Sequence, residues 1–268
     1  MNKGELFSCS PLVFLHGWGT TSKIWQRQAA HFSPAWPVLV PDYLIQGSGH
    51  SFFSAPPFTL KNLVDGLHVL CRHCSLPPMH LIGWSLGSMI ALEFTSRFPA
   101  LVASLTIVAG TPKFLSDESF PDGATKGELR RLRGRLLRDR LFAFSSFHQI
   151  LFTEQEQIQA IMLKVRELLK TDYEISDQAL LEGLNILEEV DLRAILSAIK
   201  VPVLIIHGDS DRLCPAGAAR YLHQHIPHSQ LRIFTDCGHL PFLTREEEFN
   251  QALDDFLKPL KILHHLTR

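Results

Sequence analysis

Six short apolar runs, each ending at Gly, Pro or Asp, constrain the fold of this chain most strongly. They cover residues 11–16, 37–40, 79–82, 105–109, 201–206 and 230–234. Runs of this length that are apolar throughout are typical of strands in a parallel sheet that is covered on both faces. Helical patterns lie between them, as in the apolar series Leu60, Leu63, Val64, Leu67 and Leu70. The alternation predicts a mostly parallel, doubly wound α/β sheet, with the carboxyl ends of its strands at one edge, where binding sites form.

Residues 113–190 interrupt this alternation, because no strand-like run occurs there. Their apolar residues follow helical spacing, and they are Leu129, Leu132, Leu136, Leu141, Ile158, Ile161, Met162, Val165, Leu168 and Leu169. We therefore expect a helical cap over residues 113–190, inserted between the fourth and fifth strands. Residues 1–112 and 191–268 would form the core domain.

Composition excludes several other classes of protein. The chain has 268 residues, of which 46% are hydrophobic and 20% are charged, and this is enough apolar material for a large core. A formal net charge of −1 argues against a nucleic-acid binder. The apolar runs are far shorter than the ~20 residues that span a bilayer. Five cysteines, an odd number, do not indicate a disulfide scaffold, and we expect a cytoplasmic chain. Metal-ligand motifs are missing from the sequence, so no metal or other cofactor is expected.

The pentapeptide Gly83-Trp84-Ser85-Leu86-Gly87 has the G-x-S-x-G pattern of a nucleophile elbow. An apolar strand precedes it and a helix follows it, which is the context that this motif requires. The sharp turn would present the Ser85 hydroxyl at the sheet edge, with a helix N-terminus behind it. A fortuitous match in a Gly/Ser turn is the alternative, and the flanking strand and helix argue against it.

A serine nucleophile needs a base, and the base needs a carboxylate that orients it. In sheets of this type the chain order is serine, then acid, then histidine. His239 follows the last strand and is the predicted base. Asp209 and Asp211 both follow the fifth strand. We favour Asp211, since the loop must travel two or three residues past the strand to reach the histidine, whereas Asp209 is placed to hold the turn by bonding nearby N–H groups.

The first strand ends in His16-Gly17-Trp18. An elbow needs a second backbone N–H to complete its oxyanion hole, and the loop after an early strand supplies it. We assign the backbone N–H groups of Trp18 and Leu86 to that hole. A simple tight turn after the strand is the alternative.

Residues 126–140 carry seven basic side chains against two acidic ones. Helical spacing places Leu129, Leu132, Leu136 and Phe144 on one face. Arg131, Arg135 and Arg138, which we call the arginine face, fall on the opposite side. A solvated helix surface explains such a pattern, and so does a dock for an acidic partner protein.

These residues together resemble the α/β-hydrolase superfamily along nearly the whole chain. Within it, three segments resemble the family of pimeloyl-[acyl-carrier-protein] methyl ester esterases of biotin synthesis. They are residues 83–87, the His-Gly-Trp-Gly of 16–19, and 184–193 at the end of the predicted cap.

The resemblance implies an α/β-hydrolase fold and a serine carboxylesterase that takes the methyl group from an acyl-carrier-protein ester. It assigns Ser85 as nucleophile, Asp211 as acid and His239 as base, with Trp18 and Leu86 as oxyanion donors. Acyl carrier proteins are strongly acidic, which fits the arginine face. No nucleic-acid or membrane partner is expected, and we expect a monomer.

Other functions remain open for this fold. A C–C bond hydrolase or lyase would use the same three residues, and a general short-chain carboxylesterase would need no carrier protein. A non-catalytic ligand-binding relative is disfavoured by the complete set of Ser85, Asp211 and His239. A haloalkane dehalogenase is excluded, because it needs Asp at position 85.

Overall fold

The computed structural model describes residues 10–43, 57–158, 168–169 and 175–266. A single six-stranded sheet forms its centre, with the strand order β2-β1-β3-β4-β5-β6. The strands are β1 (Leu12–Leu15), β2 (Val38–Leu39), β3 (Met79–Trp84), β4 (Val102–Val108), β5 (Val203–Gly208) and β6 (Gln230–Phe234). Every neighbouring pair is parallel, and the order doubles back from β1, so the predicted doubly wound α/β fold is confirmed.

The two edge strands differ from the expected pattern. β1, β3 and β5 are buried at every position, as strands covered on both faces must be. In β6, by contrast, Gln230 and Arg232 are exposed, and in β2 Val38 and Leu39 are only half-buried. The expectation of full coverage therefore holds for the central strands and is wrong for β6, whose polar residues face solvent at the edge of the sheet.

Helices connect the strands, as the predicted alternation requires. The α-helices are α1 (Gln26–Phe32), α2 (Leu60–His73), α3 (Leu86–Arg97), α4 (Lys126–Arg138), α5 (Arg140–Ile150), α6 (Glu154–Ile158), α7 (Asp177–Glu189), α8 (Ala216–His225), α9 (Pro241–Thr244) and α10 (Glu246–Leu266). Of these, α1 and α9 are short helices that the apolar periodicity does not predict. Three short 3-10 helices complete the described elements, at Ser22–Trp25, Pro99–Leu101 and Arg193–Ala198. Within 10–43, 57–158, 168–169 and 175–266, none of the helices is both long enough and apolar enough to cross a membrane.

Helices α4 to α7 lie between β4 and β5, in the segment predicted to form the cap. The two ends of that segment lie side by side, because Lys113 and Asp191 form an antiparallel bridge. The backbone N–H of Leu192 also donates to the carbonyl of Pro112 over 2.8 Å. The division into a core of 1–112 and 191–268 and a cap of 113–190 stays a prediction. Most of the helical pattern over 158–169 lies outside the described residues.

The predicted helix face that unites Leu129 with Phe144 is wrong in one respect. Helix α4 ends before Asp139, whose backbone is extended with φ −153° and ψ 96°. Phe144 therefore belongs to a second helix, α5. The Asp139 side chain accepts from the backbone N–H of Phe142 at 2.9 Å and caps α5. An N-cap carboxylate of this kind satisfies a donor that the first turn leaves free, and this favours a new helix start over a continuous helix.

Candidate active site

Ser85 lies at the sharp turn between β3 and α3, in a backbone conformation that few non-glycine residues adopt. Its φ is 55° and its ψ is −121°. Such strain persists only where the surroundings enforce it, and it clusters at functional sites. A Cβ on Gly83 would lie 2.4 Å from the carbonyl oxygen of Gly87, so the turn closes only with glycine at this position.

Hydrogen bonds fix both sides of the Ser85 peptide unit. Its N–H donates to the Val108 carbonyl over 3.0 Å, and its carbonyl accepts from the N–H of Ser88 over 2.9 Å. The Ser88 hydroxyl adds a second bond to that carbonyl, at 2.5 Å. Ser85 itself stays half-buried while Leu86 and Ser88 are buried. The elbow thus holds one partly accessible hydroxyl in a fixed position at the carboxyl end of the sheet.

Asp211 lies three residues beyond the end of β5 and is 6% exposed. Its Oδ1 accepts from the backbone N–H groups of Leu213 and Cys214, each at 2.9 Å. Its Oδ2 lies 2.6 Å from Nδ1 of His239. Asp209 is exposed, and its Oδ1 accepts from the Ser210 hydroxyl at 2.9 Å. Of the two candidate acids, Asp211 is therefore the one in contact with His239.

The pKa of Asp211 lies well below its ordinary range. Burial alone would raise it, but the charge of His239 and hydrogen bonds from His207 and His239 outweigh burial. The carboxylate is consequently ionised across the neutral range. It is held as an acceptor for the ring of His239.

His207 is a neighbour of Asp211 that the sequence analysis did not single out. Its Nε2 donates to the carbonyl of Cys214 over 2.7 Å and lies 3.3 Å from Oδ2 of Asp211. It stands next to the last residue of β5, Gly208. Its position at the end of β5, immediately before the loop 209–215 that carries Asp211, is the only feature of the sequence that indicates a contact with Asp211.

The ring of His239 is oriented by Asp211 and buried. Its Nε2 has no hydrogen-bond partner among the described residues, so no bond joins it to Ser85. The backbone of His239 is nevertheless fixed beside the elbow, because the indole Nε1 of Trp84 donates to its carbonyl over 2.9 Å. The Trp84 and His239 ring centroids are 5.5 Å apart. A free, buried ring nitrogen opposite an oriented Nδ1 is the arrangement that a general base needs.

The loop after β1 packs directly against the elbow. A Cβ on Gly17 would lie 3.2 Å from Cβ of Ser85, and one on Gly87 would lie 2.5 Å from the carbonyl oxygen of His16. Gly17, the residue before Trp18, thus packs against Ser85, and Leu86, the residue after Ser85, begins α3. First-turn N–H groups of a helix lack intrahelical partners and suit a developing negative charge.

The side chain of Trp18 packs against helices of the predicted cap. Its Nε1 donates to the carbonyl of Leu180 in α7 over 2.8 Å. Its ring meets Phe147 of α5 edge-on, with centroids 4.9 Å apart. Gly183 makes room for this indole, since a Cβ there would lie 2.6 Å from Cδ1 of Trp18.

His16 forms a second buried cluster beside the same loop. Its ring stacks on Tyr43 with centroids 4.0 Å apart, and the Tyr43 hydroxyl donates to its backbone carbonyl. Burial lowers the pKa of His16 from 6.5 to about 4, and the charge of Asp42 offsets only part of this effect. His16 is therefore neutral at pH 7, and it supports the turn that carries Gly17 and Trp18.

The arginine face lies on the exposed side of α4, with Leu129 and Leu136 buried beneath. Arg131 and Arg135 border a cavity of about 260 Å³, together with Arg212, Leu213 and Phe147.

All three residues of the arginine face also border a neighbouring groove of about 470 Å³. Beside them, Leu137 and Phe142 are 66% and 56% exposed. The surface is thus both cationic and apolar.

In the described ranges, no group of three His, Cys, Asp or Glu side chains is placed to hold a metal ion.

A strained serine elbow, a buried histidine–aspartate pair and a parallel sheet that doubles back define an α/β hydrolase. The family model described as alpha/beta hydrolase fold matches residues 10–246. The chain therefore belongs to the α/β-hydrolase family.

Curated relatives narrow the comparison within that family. The chain is 32% identical, over 91% of its length, to the pimeloyl-[acyl-carrier protein] methyl ester esterase of Nitrosomonas europaea, of which it covers 94%. It is 31% identical, over 92% of its length, to the protein of the same name from Chromobacterium violaceum, of which it also covers 94%. An esterase from Exiguobacterium antarcticum has a similar structure, with a TM-score of 0.85 and 26% identity over 94% of this chain and 93% of that one.

Proposed function

We propose that this chain is a carboxylic ester hydrolase that removes the methyl group from pimeloyl-[acyl-carrier-protein] methyl ester in biotin synthesis. The proposal rests on the curated relatives in Nitrosomonas europaea and Chromobacterium violaceum, which bear that name and are matched along most of their length. The single observation that carries the chemistry is the buried 2.6 Å contact between His239 and Asp211, beside the strained turn at Ser85.

In the proposed first half-reaction, Oγ of Ser85 attacks the ester carbonyl carbon while Nε2 of His239 takes the hydroxyl proton. The tetrahedral intermediate collapses, the bond to the methoxy oxygen breaks, and methanol leaves with the proton from His239. In the second half-reaction, water attacks the acyl-Ser85 ester with His239 again as base. The products are the free carboxylate and the restored serine. Asp211 stays ionised throughout and stabilises the imidazolium that forms on His239.

The negative charge of each tetrahedral intermediate needs donors that are already in place. We assign the backbone N–H groups of Trp18 and Leu86 to this role, because Leu86 directly follows Ser85 and Trp18 directly follows Gly17, which packs against Ser85. Loss of one such donor typically costs about 10²- to 10³-fold in kcat. Backbone donors are held by the fold itself, here by the packing of Gly87 against the carboxyl end of β1.

The arginine face is our proposed contact for the acidic carrier protein. Arg131, Arg135 and Arg138 are exposed on one surface of α4, and exposed Leu137 and Phe142 lie beside them. Long-range attraction to an acidic partner raises the association rate, and apolar contacts then stabilise the complex. We also place the reaction in the cytoplasm. The cysteines that the structure describes, Cys71, Cys74, Cys214 and Cys237, are free thiols, as is usual in a reducing compartment.

Charge reversal separates the carrier contact from the chemistry. In the variant with Arg131, Arg135 and Arg138 changed to Glu, we expect kcat/KM for the carrier-bound ester to fall about 3- to 150-fold, since each exposed ion pair contributes roughly 0.2–1 kcal/mol. The loss should shrink at high salt, and hydrolysis of free monomethyl pimelate should change little.

The matched control reverses the charge of three exposed arginines that lie outside the predicted cap: Arg72, Arg220 and Arg232 are changed to Glu. It should leave both substrates unaffected. Equal activity of the wild type on the carrier-bound and free esters would instead favour a general short-chain carboxylesterase. Fluorophosphonate labelling of Ser85 without turnover of either ester would favour the C–C bond hydrolase.

A further inference from the structure

The connection between α5 and α6, together with the first turn of α6, contacts the loop that carries His239. The backbone N–H of His239 donates to the carbonyl of Leu151 over 2.9 Å. The preceding N–H, of Gly238, donates to Oε1 of Glu156 over 3.2 Å. Two successive peptide groups next to the proposed base are thus held from the side of the predicted cap.

Glu156 is buried although it is acidic, with 3% of its surface exposed. Its second oxygen, Oε2, accepts from the backbone N–H of Thr153 over 2.8 Å, and the Thr153 hydroxyl accepts from the N–H of Glu156 over 3.1 Å. Reciprocal bonds of this kind form a capping box, which needs only one carboxylate oxygen. The other oxygen is bonded to Gly238, so the side chain spans the gap between α6 and the loop of His239.

In the loop of His239, the residue that faces Leu151 and Glu156 is a glycine, Gly238. A Cβ at Gly238 would lie 2.6 Å from the carbonyl oxygen of Leu151 and 2.8 Å from Oε2 of Glu156. Any side chain at this position would therefore push the loop away from the segment. A buried carboxylate is unfavourable unless it is well hydrogen-bonded, and here both of its oxygens accept backbone donors.

We infer that Glu156 is a positioning residue for His239, an inference that rests on the proposed function. Asp211 orients the ring of His239, and Trp84 holds its carbonyl from the sheet side. Glu156 and Leu151, which belong to the predicted cap, accept from the backbone N–H groups of Gly238 and His239. The reach of Nε2 toward Ser85 then depends on the bonds from Leu151 and Glu156 to this loop. Because a misplacement of about 1 Å can cost about 10²-fold in rate, a contact of this kind affects catalysis without touching substrate.

The test compares Glu156→Ala with three further variants. Glu156→Gln keeps an acceptor for Gly238. Thr153→Ala removes a bond of the capping box and leaves the bond to Gly238 in place. Glu154→Ala removes an exposed acidic neighbour on the same helix. For each variant, kcat and KM on free monomethyl pimelate, the rate of fluorophosphonate labelling of Ser85, the melting temperature and the downfield NMR signal of the His239 Nδ1 proton are measured.

We expect Glu156→Ala to lower kcat and the labelling rate by about 10- to 100-fold at nearly unchanged KM, and to shift the downfield proton signal. Glu156→Gln should restore most of the rate, while Thr153→Ala and Glu154→Ala should keep the wild-type kcat.

A purely structural role predicts another pattern. Glu156→Ala and Thr153→Ala would lower the melting temperature alike, with normal kcat and an unchanged proton signal, and this would overturn the inference. If Glu156→Ala does not fold, the comparison uses Glu156→Gln and Thr153→Ala. A kcat for Glu156→Gln that is measurably below that of Thr153→Ala, with a wild-type proton signal in Thr153→Ala, supports the inference. Equal kcat values in the two variants, whether reduced or not, contradict it. If the wild type does not hydrolyse the ester, the proposed function fails. The labelling rate and the proton signal still test the positioning of His239.

Discussion

The indole N–H of Trp84 donates a 2.9 Å hydrogen bond to the backbone carbonyl of His239. Trp84 directly precedes the proposed nucleophile, while His239 lies 155 positions further along the chain. The bond therefore ties the elbow and the loop of the proposed base into one rigid unit. Trp84, the second residue of the G-x-S-x-G motif, thus helps to position His239 relative to Ser85.

Replacement of Trp84 by Phe tests this link. The change leaves the buried carbonyl of His239 without its donor, which typically costs about 1–3 kcal/mol of stability, and it should lower kcat as well. Trp25→Phe is the matched control, because the buried Trp25 indole N–H has no hydrogen-bond partner among the described residues. Urea unfolding and ester hydrolysis are measured for both variants. Similar losses of kcat in the two would contradict a specific role for the bond.

The two candidate acids are distinguished by amide substitutions. Asp211→Asn should lower kcat by about 10⁴-fold, as the loss of an orienting carboxylate does in serine hydrolases. Asp209→Asn should stay close to wild type, because Asp209 is exposed and its carboxylate accepts a described hydrogen bond only from the hydroxyl of its neighbour Ser210. Steady-state hydrolysis of a chromogenic ester gives both values. The reverse ranking would move the acid to Asp209.

Burial of His16 predicts a pH-dependent loss of stability in mild acid. Its pKa is lowered to about 4 from 6.5, so its neutral form stabilises the fold fully above about pH 6.5. That contribution decreases as the pH falls toward 4, because the unfolded chain binds the proton first. Between pH 7 and 4.5 the wild type should lose about 2–3 kcal/mol more of its unfolding free energy than His16→Asn.

The contribution of Asp211 has a different pH window. Its pKa lies below the ordinary value of about 3.9, so its stabilisation is complete above that pH and is lost only in stronger acid. Urea titrations at several pH values therefore isolate His16. Parallel curves for the wild type and His16→Asn would show that His16 does not titrate in this range.

Alanine at Gly183 and at Gly134 should have opposite effects on stability. A Cβ at Gly183 meets the Trp18 indole at 2.6 Å, so Gly183→Ala should destabilise the chain and reduce kcat by displacing Trp18. A Cβ at Gly134 in α4 meets only the end of the Arg138 side chain, at 3.6 Å. Gly134→Ala should therefore stabilise the chain by about 0.5–1 kcal/mol. Calorimetric melting measures both, and stabilisation by Gly183→Ala would contradict the close packing of Trp18.

The sequence predicts features of this protein that depend on local patterns. The apolar runs define the strands, and Ser85, Asp211 and His239 each follow a strand end, so their meeting at one sheet edge follows from the parallel topology. The end of α4 at Asp139 is not predictable in this way, because the spacing of the Leu and Arg residues continues in phase across it.

Long-range contacts of single side chains also cannot be predicted from the sequence. The bond from Gly238 to Glu156 joins residues 82 positions apart, and no local pattern marks it. The contact of His207 with Asp211 depends on the path of the loop 209–215. Glu156 and His207 are both buried polar residues, and their partners are fixed by tertiary packing rather than by local conformational propensity.

The central claim is that Ser85 cleaves the methyl ester of a carrier-bound pimeloyl group. Its most direct test is intact-mass spectrometry of pimeloyl-[acyl-carrier-protein] methyl ester after incubation with the wild type or with Ser85→Ala. We predict that the wild type converts the carrier to a species lighter by one methylene unit, with the thioester intact, and that Ser85→Ala leaves its mass unchanged. A carrier of unchanged mass with the wild type, loss of the whole acyl group, or equal conversion by Ser85→Ala would contradict the claim.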